Sequence, residues 1–178
     1  LPAILALSTL LIARWLYPHP HDLESVTPEA ETKGFPSVYW LYLTAIALIA
    51  VGYVDFPLIA YHFKKMSIAS DIWIPVFYAF AMGVDALAAL FSGYLFDRKG
   101  ISVLIGISFI SAFFIPMVFL GGFYFGLFGM ALWGIGMGAQ ESIMRAAIAE
   151  MVPANRRGTG YGIFNAGYGI FWFLGSAL

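Results

Sequence analysis

Residues 101–120, ISVLIGISFISAFFIPMVFL, contain no charged side chain, and serine is their only polar one. A run of that length rises about 30 Å as an α-helix, which is the thickness of a bilayer's hydrocarbon core. Comparable apolar runs lie over residues 38–63, 72–96, 123–151 and 158 to the end, after an opening run over residues 3–17. With 61% hydrophobic and only 11% charged residues, the chain has too little polar surface to cover a water-soluble globule. Backbone groups in hydrocarbon must be satisfied within their own segment, so the expected fold class is all-α, a polytopic membrane helical bundle in contact with lipid.

Other classes fall away on the same reading. A formal net charge of -1 and no basic face beyond short loops argue against a nucleic-acid partner. The chain has no cysteine, so it offers neither a disulfide framework nor a thiolate metal site. His19 and His21 stand two apart with no third ligand nearby, and no metal is expected. No H-E-x-x-H, G-x-S-x-G or phosphate-binding glycine loop occurs in a suitable context, so neither an enzyme nor a cofactor is expected.

The chain opens at Leu1 and Pro2 inside an apolar run and stops at Leu178 without a polar tail, which reads as an internal portion of a longer protein. Residues 1–17 are read as the end of a preceding transmembrane helix. Residues 18–38, PHPHDLESVTPEAETKGFPSV, with four prolines and four acids, read as a water-exposed linker. Residues 39–178 are read as an incomplete C-terminal transmembrane bundle.

The polar residues of the apolar runs are not scattered. Gly134, Gly138, Glu141 and Arg145 fall within one narrow stripe at about 100° per residue. Small residues permit close helix approach, and an intramembrane Glu/Arg pair must face protein or a watery cavity. Two readings stand: a packing seam with a self-neutralising ion pair, or a wall of a translocation path. In residues 38–63, Thr44, Asp55 and His62 share a sector, and Pro57 predicts a kink beside Asp55. That acid either caps or bonds a neighbour, or holds a cation or proton. Asp71, Tyr78, Asp85 and Ser92 recur every seven residues, a stripe that drifts by only about 20° per step. Asp85 falls near mid-membrane, where a carboxylate must be paired, hydrated or protonated. Residues 101–120 look peripheral, with a bend at Pro116. In the last run, Gly158, Gly162, Asn165, Gly169, Trp172 and Ser176 share a face that reads as a close-packing seam.

Orientation follows from Lys and Arg. One set of connections holds Arg14, Lys33, Arg98, Lys99, Arg156 and Arg157, and the other holds Lys64 and Lys65. The first set is expected in the cytoplasm.

Two of these basic turns carry a resemblance. GYLFDRKG is similar to the cytoplasmic motif that follows the second helix of each half in the major facilitator superfamily of secondary transporters, matching at Gly93, Leu95, Asp97, Arg98 and Gly100. It departs at Ile101, where a basic residue is usual. EMVPANRRG is similar to that family's E-x-x-P-x-x-x-R-G pattern, matching at Glu150, Pro153, Arg157 and Gly158. The two motifs stand in the family's order, on one side, with one helix between them.

The resemblance covers nearly the whole chain and implies the end of helix 6, the central cytoplasmic loop and helices 7 to 11 of a C-terminal half. Helices 7 and 10, which line the family's central cavity, correspond to residues 38–63 and 123–151. Helix 12 and the N-terminal transmembrane half are absent, so that missing half is an expected partner. The implied function is secondary active transport of a small solute by alternating access, coupled to a proton or sodium ion, in a prokaryotic plasma membrane. Candidate coupling or substrate residues are Asp55, Asp85, Glu141, Arg145, Tyr78, His62 and Asn165. At the cytoplasmic turns, Asp97, Arg98, Glu150 and Arg157 are expected to form a charge network, with Glu150 meeting Arg98 or Arg157. A non-transporting membrane module, a sensor or assembly partner acting through helix contacts, is the alternative.

Overall fold

The computed structural model describes residues 8, 9, 11, 12, 15, 16 and 34–177. The chain divides into two units, residues 1–31 and 32–178. In the first, Ser8, Thr9, Leu11, Ile12, Trp15 and Leu16 are helical and exposed. Residues 17–33, which hold most of the polar linker with His19 and His21, lie outside the described residues.

The second unit is helical throughout. Its helices are α1 (Ser37–Gly52), α2 (Phe56–Lys65), α3 (Trp73–Lys99), α4 (Ser102–Ser111), α5 (Phe114–Leu120), α6 (Phe123–Met151) and α7 (Arg157–Ala177). Ser37–Lys65, Trp73–Lys99 and Ser102–Leu120 are long and apolar enough to cross a membrane. At 29 and 21 residues, α6 and α7 are also of membrane length, but they carry more glycine.

Two of the expected single helices are in fact broken, and proline explains both. Pro57 has no N–H to offer, and the chain leaves the helix at Tyr53, re-entering at Phe56 with Asp55 as its N-cap. The N–H of Leu58 bonds Asp55 (3.1 Å) rather than Val54. The stranded Val54 carbonyl accepts instead from Trp133 Nε1 at 2.9 Å. Tyr53 closes the clamp by donating its hydroxyl to the Trp133 carbonyl. Because the break separates them, Thr44, Asp55 and His62 are not a sector of one helix. Thr44 bonds its own helix at Trp40 (3.0 Å), and His62 lies against the Phe119 ring at 4.8 Å. Farther on, the bend expected at Pro116 falls at Ala112 and Phe113, one turn earlier, since Ala112 is the carbonyl that proline fails to serve. The N–H of Ile115 takes it at 3.3 Å.

At the centre of the bundle is α6, buried along most of its length. Gly134 and Gly138 do form a seam, and it faces α3: a Cβ there would overlap the carbonyls of Ala81 and Asp85 respectively. Gly93 closes the same interface, with Ser142 Oγ 2.9 Å from where its Cβ would stand. On another side of α6, Gly129 admits Val118 of α5, and Gly136 admits Ser111 of α4. Meanwhile α1 and α7 run parallel. The Tyr39 hydroxyl donates to the Gly160 carbonyl at 2.7 Å near their starts, and Gly175 lies on the backbone of Val51 near their ends.

That last contact corrects the expected glycine face of the final helix. Gly160 and Gly175 do the packing, whereas a Cβ placed at Gly158, Gly162 or Gly169 would meet nothing within 4 Å among the described residues.

The core forms two clusters, one at each end. Tyr39, Phe96, Val103, Ile148, Val152 and Phe164 belong to the first, at the end that carries Arg98, Lys99, Arg156 and Arg157. Phe63, Ala69, Phe77, Val118 and Met130 belong to the second, at the end of Lys64 and Lys65. The two basic motifs therefore share an end, as helix parity requires. Leu48, Leu87, Leu90, Ile105, Phe109 and Leu120 point outward, which suits lipid contact.

Candidate functional site

A cleft of about 210 Å³ opens between α6 and α7. From α6 it takes Met137, Gln140, Glu141, Met144 and Arg145, and from α7 Phe164, Asn165, Tyr168 and Trp172. Steps of three and four residues put each group on one helix face. The Tyr168 hydroxyl joins the two walls by donating to Gln140 Oε1 at 3.1 Å. Gln140 is buried, so that bond fixes the side chain whose amide nitrogen remains for another partner. Behind them runs an aromatic row, with Phe164, Tyr168 and Trp172 at centroid spacings of 5.8 and 5.4 Å. Tyr53 ends it, 5.8 Å from Trp172. Tyr161 anchors the outer end, donating to the Arg145 carbonyl at 3.2 Å.

Three candidates named from sequence, Glu141, Arg145 and Asn165, meet in this cleft. The self-neutralising pair is not found, however. Among the described residues the ion pair is Lys64–Asp71 at 3.1 Å, on the surface, and the exposed Glu141 and Arg145 side chains do not close on each other. The single stripe also divides, because Gly134 and Gly138 face α3 whereas Glu141 and Arg145, one and two turns on, face α7. Tyr168, Met137 and Met144 are additions to the sequence-based set. Their signal was the three-and-four spacing from Asn165 and Glu141, which is indistinguishable from ordinary core spacing until the partner helix is known.

The other candidates stand elsewhere. Asp55 caps α2, accepting from the Phe56 N–H at 2.8 Å. Tyr78 is exposed and lies on Phe56 at 4.4 Å. His62 Nε2 is buried without a hydrogen-bond partner among the described residues. Of the stripe on α3, Asp71 is taken by Lys64, and Ser92 bonds its own helix at Ala88 (2.6 Å). Asp85 is different. It is half-buried, its Oδ1 has no partner among the described residues, and its carbonyl lies against Gly138, one turn before Glu141.

At the basic end, Gly100 ends α3 with φ +62°, where glycine is favoured, and its N–H bonds Phe96 at 2.7 Å. Pro153 follows the end of α6 and begins the turn Ala154–Arg156 that leads into α7. The expected charge network is absent. Asp97, Arg98, Glu150 and Arg157 are all exposed and make no ion pair among the described residues. Arg98 instead lies over the Tyr94 ring at 4.3 Å. An exposed ion pair contributes only ~0 to 1 kcal/mol, so an aromatic face on the same helix competes with it readily.

Membrane-length helices around a cleft with charged and amide linings define a multi-pass integral membrane protein. The chain belongs to the Major Facilitator Superfamily, whose family model matches residues 1–176. It is 33% identical over 184 residues to uncharacterized proteins of Mycobacterium bovis and of two Mycobacterium tuberculosis strains. Those alignments cover 100% of this chain and 45% of each relative, so the chain spans less than half their length. No solved structure gives a significant match.

Proposed function

We propose that this chain supplies the C-terminal half of a secondary active transporter that moves a small solute across the plasma membrane by alternating access. The observation that carries this reading is the cleft: Gln140, Glu141, Arg145 and Asn165 present amide and charged groups from two helices of membrane length. Intramembrane polar groups are costly unless used or paired. The longer relatives leave room for an N-terminal half to complete the site, and two halves that rock about a shared cavity are how such bundles move a solute.

Coupling to a proton or sodium gradient is assigned to Asp85. Its unpartnered oxygen lies beside the α6 seam, where protonation or an ion would relieve the cost of leaving it unsatisfied. Asp55, as a helix cap, is the weaker candidate.

The test is uptake by the full-length gene product in proteoliposomes under an imposed proton or sodium gradient, with labelled sugars, amino acids, organic anions and organic cations. Saturable uptake of one class that collapses with the gradient supports the reading. Folded protein that takes up none of them favours a non-transporting module, for which the open glycines Gly158, Gly162 and Gly169 of α7 offer a face for a partner helix.

A further inference from the structure

We infer that the α6/α7 cleft binds a small zwitterionic solute with an apolar or aromatic body. This inference rests on the transport reading and names its substrate class. Glu141 precedes Arg145 by four residues on α6, the order in which such a pair closes most readily on a helix. It does not close here: both groups are exposed to the cleft and neither has an ion-pair partner among the described residues. Both side chains line the same cleft as Tyr168 of the opposite wall, so they border one space.

The consequence for recognition is a matter of sign. A purely anionic solute gains from Arg145 and is repelled by Glu141, and a cation meets the reverse. Only a ligand carrying both charges gains from both. Side chains four apart on a helix are separated by about 5–6 Å at Cβ, which suits an ammonium and a carboxylate on one small molecule.

The remaining lining agrees. Tyr168 and Trp172 give aromatic faces for an apolar body or for the ammonium itself. The amides of Gln140 and Asn165 supply donors and acceptors that orient the ligand.

The experiment uses three matched probes on the purified full-length protein: labelled phenylalanine, phenethylamine, which lacks the carboxylate, and phenylpropionate, which lacks the ammonium. Binding by scintillation proximity and uptake into proteoliposomes are measured for each. Phenylalanine is expected to bind about tenfold tighter or more than either analogue, the loss of one charge-assisted contact. Glu141→Gln is expected to narrow the gap to phenylpropionate, and Arg145→Gln the gap to phenethylamine. Equal binding of all three, or variants that weaken all three alike, overturns the inference; the wild-type comparison does not depend on either variant folding. Uptake of a sugar or a singly charged solute without phenylalanine binding overturns the zwitterion and leaves transport standing. Phenylalanine binding with no uptake of any solute does the opposite, and neither binding nor uptake removes both.

Discussion

Replacing Gly138 by alanine puts a methyl group where the carbonyl of Asp85 already lies, and within 2.7 Å of the Ala89 nitrogen. Neither obstacle is a flexible side chain. Ordinary van der Waals contact starts near 3.4 Å, so α3 and α6 must part by roughly 0.7 Å or more in a seam packed at close to crystal density. Overpacking of this kind costs about 1–3 kcal/mol. The same substitution removes a helical glycine, which returns up to about 1 kcal/mol through helix propensity. Gly162→Ala has that gain alone, since nothing lies within 4 Å of its Cβ position. The difference between the two variants therefore isolates the seam. Unfolding of the full-length protein in mixed micelles, followed by denaturant titration, should find Gly138→Ala less stable than Gly162→Ala by about 1–3 kcal/mol. A difference below about 0.5 kcal/mol, the usual range for surface changes, would show that the α3/α6 approach is not the close one described.

Trp133→Phe strands the Val54 carbonyl at the α1/α2 break, and should lower stability in the same assay by about 1–3 kcal/mol, with Tyr53→Phe costing less because the Trp133 carbonyl keeps its place in α6. Asp85→Asn keeps size and polarity but neither binds nor releases a proton, so gradient-driven accumulation should vanish while exchange persists; normal accumulation at every pH would reduce Asp85 to a structural role. Lys64→Ala removes an ion pair whose side chains are 68% and 73% exposed, and the unfolding midpoint should stay within the scatter expected for a surface charge.

Much of this arrangement was legible in the sequence of residues 34–177. The apolar runs identified the helices, and the two basic turns placed the Arg98 and Arg157 ends together. Glu141, Arg145 and Asn165 were named as candidates on separate helices and meet in one cleft. What stayed hidden depends on partners. Pro57 announced a disturbance, but the group that satisfies the freed Val54 carbonyl, Trp133, lies 79 residues away. An angular stripe treats a helix as having one neighbour along its length, and α6 has several: Gly138 meets α3 while Glu141 borders α7. The same limit misplaced the seam of α7, where Gly160 and Gly175 pack and the glycines beside Asn165 do not. At the basic end, charge complementarity suggested a network. Long, exposed side chains choose among nearby partners on small energy differences, and Arg98 took the ring of Tyr94.

The proposal that this cleft belongs to an alternating-access pathway is tested most directly at Asn165, which is exposed in the α7 wall. This chain has no cysteine, so Asn165→Cys, in the full-length protein with any other cysteines replaced, gives one reporter in oriented membrane vesicles. A membrane-impermeant thiol reagent applied to either face should modify it, at rates that shift in opposite directions when a gradient is imposed. Modification from one face alone under every condition, in a variant that remains folded, would contradict a cleft that opens to both sides.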